Sequence, residues 1–258
     1  MPLTEFQKQT LILLAANRSP DSYVAGGVAL HASRPEGRYS RDADIFHDAE
    51  ESVILCSRLD EQALAKNGYS IEWLLQEPAF RRALVSKGGE SLRMDWAHDS
   101  ACRFFPVEAD PILGWRLHPA DLATNKALAL ASRSKTRDLF DIVMLDKSYL
   151  RLEAIIWASC GKDEGFNPVM MLEMMARHAR IHGPELEALT TPPADPVQLK
   201  SDWLNILERA RSELLKVASE NYGFLLLDAT GQPRWPENWS QVVRHYPTVG
   251  GAWPAVSK

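Results

Sequence analysis

The chain contains 258 residues, of which 45% are hydrophobic and 24% are charged, and its formal net charge at pH 7 is −5. This length can form one large domain or two smaller ones, and the acidic balance argues against a generally basic surface for nucleic acids. The cysteines Cys56, Cys102 and Cys160 lack C-x-x-C spacing, which argues against a disulfide framework or a zinc knuckle. Every apolar stretch is too short to span a membrane, so we expect a cytoplasmic protein without a membrane partner.

The first elements place a strand, two glycines and a helix in succession. Apolar spacing predicts a helix over residues 4–17. The stretch "SYVAGGVALHA" predicts a short strand through Val24, a glycine turn and a helix from Val28 onward. A longer helix is predicted over "ESVILCSRLDEQALAKNG", with Gly68 as its C-cap.

The remaining elements divide into strands and then helices. Strands are predicted at "YSIEWLLQ", "FRRALVSK" and "SLRMDWAH", and the "KGGES" stretch suits a hairpin between the last two. Helices at "HPADLATNKALALASRS" and "TRDLFDIVMLDKS" open a helical region that reaches about Ala218, with "LTTPPADP" as a linker and a final hairpin turning at Thr230-Gly231. We therefore expect an α/β (α+β) protein with a mixed-sheet domain over residues 1–118 and a mostly helical domain over 119–258.

Two aspartates in "SRDADIFHD" are one residue apart. On a strand, Asp42 and Asp44 project from the same face. Carboxylates that close repel each other unless a cation lies between them, and Mg²⁺ prefers carboxylate and phosphate oxygens. Asp95, between the apolar Met94 and Trp96, supplies a third carboxylate where an unpaired charge would be costly.

The glycines ahead of these aspartates add a second chemical feature. Gly26 and Gly27, in a strand–turn–helix, let the backbone approach a phosphate and aim N–H groups at it, and the helix that follows adds its positive N-terminal end. A Gly-Gly pair alone is more often a plain turn, and a D-x-D pair alone is often a solvated edge. Together with Asp95, in this order, they indicate a phosphate and metal site.

The same residues carry a family resemblance. The glycine pair, the R-x-S-x-D-x-D element of Arg38, Ser40, Asp42 and Asp44, and then Asp95 resemble the nucleotidyltransferase superfamily with the polymerase-beta-like fold. Within it, the element is similar to the AbiEii/AbiGii-type nucleotidyltransferases, the toxin halves of bacterial abortive-infection and toxin–antitoxin systems.

This resemblance implies roles for the motif residues. The glycine turn and the R-x-S residues would bind a nucleoside triphosphate (NTP), and two or three of the aspartates would hold divalent metal, with two metal ions as one arrangement. Asp42 and Asp44 would bind the metal, and Asp95 would bind metal or act as base on the attacking hydroxyl. The chain departs from the family at two points, because Gly27 replaces a serine of many members and the gap from Gly27 to Asp42 is slightly long. The departure at Gly27 leaves only backbone donors for the phosphate there.

A second charged cluster follows in "DLATNKALALASRSKTRDLFDIVML". The resemblance implies a helix with a lysine and then an arginine, followed by an R/K-D-x-x-D helix, and these places are taken by Lys126, Arg133, Arg137, Asp138 and Asp141. Lys126 and Arg133 are seven residues apart and share one helical face, which could neutralise triphosphate charge that Mg²⁺ does not reach.

The alternative for this cluster is an exposed helix with surface ion pairs. In that case Lys126 is a surface lysine, either paired with Asp121 or unpaired while Asp121 complements the helix N-terminus, and its loss would leave activity near normal. With or without a catalytic role, Lys126 is expected to be exposed, so its loss should barely change stability. Asp138 is open between a catalytic role and the orientation of a cation.

Two other patterns in the sequence give weaker evidence for a functional site. His178 and His182 have the i, i+4 spacing of metal ligands, but no glutamate lies between them as in H-E-x-x-H. The tryptophans of the tail, Trp235, Trp239 and Trp253, could stack bases or anchor the tail onto a small core.

The sequence thus predicts an Mg²⁺-dependent nucleotidyltransferase that moves a nucleoside monophosphate from an NTP onto a hydroxyl. The resemblance implies an RNA acceptor such as a tRNA end, and a separately encoded antitoxin as a partner. One alternative is a nucleotide- or partner-binding module that keeps the fold without turnover. Another, a D-x-D glycosyltransferase, explains the aspartates but neither the glycine turn nor the "RDLFD" helix.

Overall fold

The computed structural model describes residues 3–32, 37–217 and 221–255. Its internal contacts divide the chain into two units, Met1–Ala101 with Pro106–Leu122, and Cys102–Phe105 with Ala123–Lys258. The division falls after Leu122 rather than after residue 118, and residues 102–105 belong with the second unit.

The first unit combines helices with most of the strands. A 3₁₀ turn, Ala15–Asn17, follows the first helix directly. Its regular elements are α1 (Glu5–Leu14), β1 (Ser22–Ala25), α2 (Gly26–His31), β2 (Asp42–His47), α3 (Glu50–Lys66), β3 (Ser70–Gln76), β4 (Phe80–Lys87), β5 (Glu90–His98), β7 (Glu108–Asp110) and β8 (Gly114–Arg116), with β6 (Cys102–Arg103) belonging to the second unit.

The strands of the first unit form a mixed sheet. Within the described residues it has seven strands in the order β3-β4-β5-β2-β1-β8-β7. The β2–β5 and β1–β8 pairs are parallel, and the other neighbours are antiparallel. The predicted α/β class with a mixed sheet is confirmed.

Helices α1 and α3 pack against one face of this sheet, and a buried ion pair holds them there. Arg18 donates to both carboxylate oxygens of Asp60 on α3, at 2.5 and 2.6 Å, and the two side chains are 1% and 0% exposed. The indole Nε1 of Trp96 on β5 donates to the same carboxylate at 2.7 Å. The apolar residues of β5 therefore face the helices, and Asp95 faces the opposite side of the sheet.

The sequence predicted the local turns of this unit well. After α3, the Gly68 N–H bonds to Ala65 O and the Tyr69 N–H bonds to Leu64 O, which is a Schellman motif with Gly68 at φ +76°. Gly88 and Gly89 have φ of +63° and +86°, so they form a two-residue hairpin turn between β4 and β5.

The second unit is mostly helical. The helix α4 (Pro119–Ser132) begins in the first unit and continues into the second. The further elements are α5 (Thr136–Ser148), α6 (Leu152–Ser159), α7 (Pro168–His178), α8 (Gly183–Glu187), α9 (Pro196–Lys216), β9 (Leu225–Leu227), β10 (Val243–His245) and β11 (Thr248–Val249).

Aromatic side chains from the tail anchor it to the core of the second unit. Trp157 on the buried α6 lies 5.8 Å, between ring centroids, from both Trp235 and Trp239, and Trp253 lies 5.8 Å from Phe105. Of the two roles considered for these tryptophans, the contacts match the anchoring one.

The C-terminal hairpin differs from its prediction. A turn with Gly231 at φ +82° is present, but the chain after it makes only a single bridge, Leu227 to Pro233, and β9 pairs instead with β10. Backbone bonds from Asp228 N–H to Gln232 O and from Arg234 N–H to Leu226 O flank this bridge and place Pro233 where no N–H is needed, so the hairpin closes but stays short.

In the part of the chain that the structure describes, no helix is both long enough and apolar enough to cross a membrane.

We predict that Asp60→Asn lowers the free energy of unfolding by about 3 kcal/mol or more, because it leaves the buried Arg18 guanidinium without a full counter-charge. Urea denaturation measures this. Glu51→Gln, which removes an exposed charge from the same helix, is the matched control. Equal urea midpoints for the two variants would show that the Arg18–Asp60 pair does not contribute this much to the free energy of unfolding.

Candidate functional site

The first part of the site is β2, in which successive side chains point to opposite faces of the sheet. Ala43, Ile45 and His47 are buried, and Asp44 and Phe46, on the other face, are half-buried. Asp42 shares the face of Asp44 and is 8% exposed. The alternation of apolar and polar residues thus directs both aspartates to the face that α1 and α3 do not cover.

Strand pairing brings the third aspartate to the same face. In the parallel register of β2 and β5, Asp44 lies opposite Asp95 and Asp42 lies opposite Arg93. In the antiparallel register of β4 and β5, Arg82 lies opposite Asp95. The structure therefore places Asp42, Asp44 and Asp95 together, with two arginines among them.

Both arginines form ion pairs with the aspartates. The Nε and Nη2 of Arg82 donate to the two oxygens of Asp95 at 2.8 and 2.6 Å. Arg93 Nη2 lies 2.5 Å from Asp42 Oδ2. The hydrogen bond to Asp95 raises the pKa of Arg82, and burial lowers it by less. The negative charges of Asp95, Asp42 and Asp44 raise this pKa further. The Arg82 guanidinium thus lies in the field of all three carboxylates.

The two glycines lie directly against this face. The helix α2 starts at Gly26, not at Val28 as predicted, because Gly26 itself makes the turn with φ of +64°. A Cβ atom at Gly26 would be 1.9 Å from Asp44 Oδ2, and one at Gly27 would be 2.6 Å from Ser40 Oγ. Glycine is required at both places because the Asp44 and Ser40 side chains fill that space.

The R-x-S residues are fixed beneath the glycines. Arg38 is 2% exposed, and its Nη2 would lie 3.0 Å from a Cβ at Gly27. Ser40 Oγ donates to Asp42 O at 3.2 Å, and the buried Gln7 of α1 donates to Ser40 O at 2.6 Å. The segment that leads into β2 is therefore tied to both the glycines and α1.

The three carboxylates on this face are ligands that suit a hard cation, but their oxygens do not converge on one point. No group of three His, Cys, Asp or Glu side chains in the described residues is already placed to hold a metal ion. The ion pairs with Arg82 and Arg93 account for this, since they direct two of the three carboxylates to guanidinium groups. The donor set of three carboxylates beside a glycine cradle fits Mg²⁺ and a phosphate.

The second unit contains the other predicted cluster. Lys126 Nζ lies 2.8 Å from Asp141 Oδ2 and 3.5 Å from Asp138 Oδ1, and Arg133 Nε donates to Asp138 Oδ2 at 2.8 Å. Both aspartate side chains on α5 are fully buried.

This arrangement corrects one expectation. Lys126 was predicted to be an exposed lysine with little effect on stability, but it is 8% exposed and compensates two buried carboxylates. The sequence did not show that α5 would turn Asp138 and Asp141 toward α4. Removing the lysine should therefore cost stability.

Arg82 and Arg93 were not predicted as site residues, and Asp141 was named only as a position of the R/K-D-x-x-D motif. The sequence did contain a signal for Arg82. If Gly88-Gly89 is a two-residue turn, Lys87 pairs with Glu90, and the same register pairs Arg82 with Asp95. The i, i+3 spacing from Asp138 was the signal for Asp141. The pairing of Asp42 with Arg93 had no such signal, since it depends on a parallel register between distant strands.

The two histidines with metal-ligand spacing have other contacts. His178 Nδ1 lies 2.8 Å from Ala131 O at the end of α4, and the His182 backbone N–H donates to Thr136 Oγ1 at 2.9 Å.

Comparisons with known proteins place this fold in a class. No protein-family model matches the chain, and no curated protein matches it. Its structure is similar to that of JHP933 from Helicobacter pylori, with a TM-score of 0.51 and 19% identity over 83% of this chain and 95% of that one. It is also similar to MenT4, a nucleotidyltransferase toxin from Mycobacterium tuberculosis, with a TM-score of 0.55 and 17% identity over 83% of each chain.

The chain therefore shares its fold with a nucleotidyltransferase. The predicted resemblance is confirmed at the level of the fold, and the AbiEii/AbiGii subtype stays a prediction.

We predict that Gly26→Ala destabilises the protein more than Gly88→Ala does. The two glycines have nearly the same φ, +64° and +63°, but a Cβ at Gly88 meets no atom within 4 Å. Both variants carry the strain of a positive φ, about 1 kcal/mol, and only Gly26→Ala adds the collision with Asp44. Urea denaturation gives both free energies, and equal losses would show that Asp44 moves aside without cost.

Proposed function

We propose that the chain is a nucleotidyltransferase that transfers a nucleoside monophosphate from an NTP to a hydroxyl group. The observation that carries the proposal is the set of Asp42, Asp44 and Asp95 on one sheet face, directly against the Gly26-Gly27 turn. A triphosphate and a metal need these two features side by side, because phosphate oxygens are shared between backbone N–H donors and the cation.

In this proposal Asp42, Asp44 and Asp95 hold Mg²⁺. When bound, the metal would activate the attacking hydroxyl and stabilise the departing pyrophosphate, with two ions as one arrangement. The missing side chains of Gly26 and Gly27 let Asp44 and Ser40 lie against the turn, so its backbone N–H groups, proposed to bind the phosphate, lie next to a proposed metal ligand, and Arg38 lies beside Gly27. The alternative for Asp95 is that Asp42 and Asp44 hold the metal without it and that Asp95 accepts the proton of the attacking hydroxyl.

Lys126 is assigned to the triphosphate in the same proposal. Its ammonium group is held by Asp141 and Asp138 and has three N–H donors, so two carboxylate partners leave one for a ligand. Asp138 then orients Lys126 and Arg133, which favours positioning over direct catalysis for this aspartate.

The toxin role is supported by similarity of fold, and the acceptor and the partner are inferred from the motif resemblance. MenT4, which shares the fold, is named a nucleotidyltransferase toxin, and this supports a toxin role for the present chain. An RNA acceptor such as a tRNA end, a cognate antitoxin and the AbiEii/AbiGii subtype are parts of the same proposal.

The second candidate is a binding module without turnover. The observation in its favour is that Arg82 and Arg93 pair with two of the three carboxylates. Such a module would bind a nucleotide on the glycine side of the face and would transfer nothing.

Labelled NTPs, Mg²⁺ and total RNA distinguish the two candidates. We predict that the protein labels RNA with at least one NTP and that Asp42→Asn abolishes the labelling while the circular dichroism spectrum is unchanged, because the substitution removes charge without volume. Asp21→Asn, an exposed carboxylate in the same unit, is the control. Nucleotide binding without labelling of any acceptor would favour the binding module.

We predict that Lys126→Ala lowers the transfer rate roughly 100-fold, the scale for loss of one charge-stabilising donor. It should also lower the free energy of unfolding by about 3 kcal/mol, because Asp138 and Asp141 lose a buried partner. The transfer rate is measured well below the melting temperature, on protein shown to be folded. Lys147→Ala, which removes a half-exposed lysine of α5, should change neither quantity much, and a normal rate in folded Lys126→Ala would remove this lysine from the site.

A further inference from the structure

Two arginines on the carboxylate face have no role in the proposed chemistry. Arg82 covers both oxygens of Asp95 with a two-bond fork, and Arg93 contacts Asp42 at 2.5 Å. These are the oxygens that a metal ion would need. The fork takes one lone pair of each Asp95 oxygen and places a positive charge beside the carboxylate, so Arg82 competes with a metal ion for Asp95.

We propose that Arg82 and Arg93 are built-in counter-ions that compete with metal for Asp95 and Asp42, and that metal binding requires the release of their guanidinium groups. The inference rests on the proposed function, because it assumes that the carboxylates are metal ligands. It deepens that function because it states which side chains compensate Asp95 and Asp42 until a metal ion replaces them.

The exposure of the two pairs makes release feasible. The Arg82 and Arg93 side chains are 35% and 40% exposed, so each guanidinium can turn into solvent and be hydrated. The Arg18–Asp60 pair of the same unit is different, because its side chains are 1% and 0% exposed and its release would leave a charge buried. The Asp95 and Asp42 side chains are only 9% and 11% exposed, so they need a counter-charge, but their arginine partners can be exchanged for a cation, whereas the Arg18–Asp60 pair is structural.

The charges on this face explain why counter-ions are needed. Three carboxylates on neighbouring strands repel one another, and two guanidinium groups reduce their formal charge from −3 to −1. A divalent cation would replace that compensation. The metal-free protein should therefore depend on the arginines for stability, and the metal-bound protein should depend on them much less.

The first test measures Mn²⁺ binding to the full chain without nucleotide, by electron paramagnetic resonance and calorimetry. Mn²⁺ is the probe because it takes carboxylate oxygens as Mg²⁺ does. Arg82→Gln and Arg93→Gln should each bind Mn²⁺ about tenfold more tightly than the parent, the scale of one charge-assisted contact. Unchanged or weaker binding in both variants would overturn the proposal.

The chain offers a matched control on the same strand. Arg81 precedes Arg82 on β4 but faces the other side of the sheet, where it donates to Ser57 Oγ at 3.2 Å and lies over Trp73. Arg81→Gln should leave the Mn²⁺ affinity unchanged. Equal tightening in Arg81→Gln and Arg82→Gln would mean that general charge, and not competition at Asp95, sets the affinity.

The second test separates competition from a merely structural ion pair. Arg82→Gln should melt at a lower temperature than the parent without metal, and saturating Mn²⁺ should narrow this difference, because the bound cation replaces the missing arginine. A structural pair predicts the same deficit with and without Mn²⁺, which would contradict the proposal.

Asp42→Asn distinguishes failure of this inference from failure of the proposed function. If Asp42→Asn loses Mn²⁺ binding while Arg82→Gln and Arg93→Gln bind as the parent does, the metal site stands and the competition is wrong. If the parent and Asp42→Asn bind Mn²⁺ equally, the metal site itself is wrong. No binding by any variant, the Arg82→Gln/Arg93→Gln double variant included, overturns both.

Discussion

The parallel pairing of β2 with β5 is the constraint on which the candidate site depends. This register sets Asp44 opposite Asp95 and Asp42 opposite Arg93, and it turns all four side chains to one face. The opposite face is occupied, because Trp96 donates to Asp60 under α3. A shift of one residue in this register would send Asp95 into the buried layer, where its charge would have no solvent and no partner.

That constraint creates an electrostatic problem, which the neighbouring strands relieve. Three carboxylates share the face, and Arg82 from β4 and Arg93 from β5 compensate two of them. The glycines at the start of α2 solve a steric problem at the same place, because a side chain at Gly26 would overlap the Asp44 carboxylate. The face is thus acidic, it is compensated by two partly exposed arginines, and it lies directly against the glycine turn.

The second unit uses charge in the opposite way. There the carboxylates of Asp138 and Asp141 are fully buried, and Lys126, which is itself mostly buried, forms ion pairs with both. A buried lysine held by two carboxylates has a fixed position, which is what a charge-stabilising cation requires. The aromatic tail of this unit packs around Trp157, so the tail completes the unit's core.

The sequence by itself determined the mixed-sheet class, the strands β1 to β5, the long helices, the Gly68 and Gly88-Gly89 turns and the shared face of Asp42 and Asp44, but not the short strands β6, β7 and β8. The features that it determined are local properties, since alternation, capping and turn chemistry act over a few residues. It also indicated the register of Arg82 with Asp95, although only by counting from a tight turn. Only the tertiary structure decided the contact of Arg93 with Asp42, the burial of Lys126 and the pairing of β9 with β10. Each of these depends on segments distant in sequence, whose register and packing are set by the whole core and not by any local pattern.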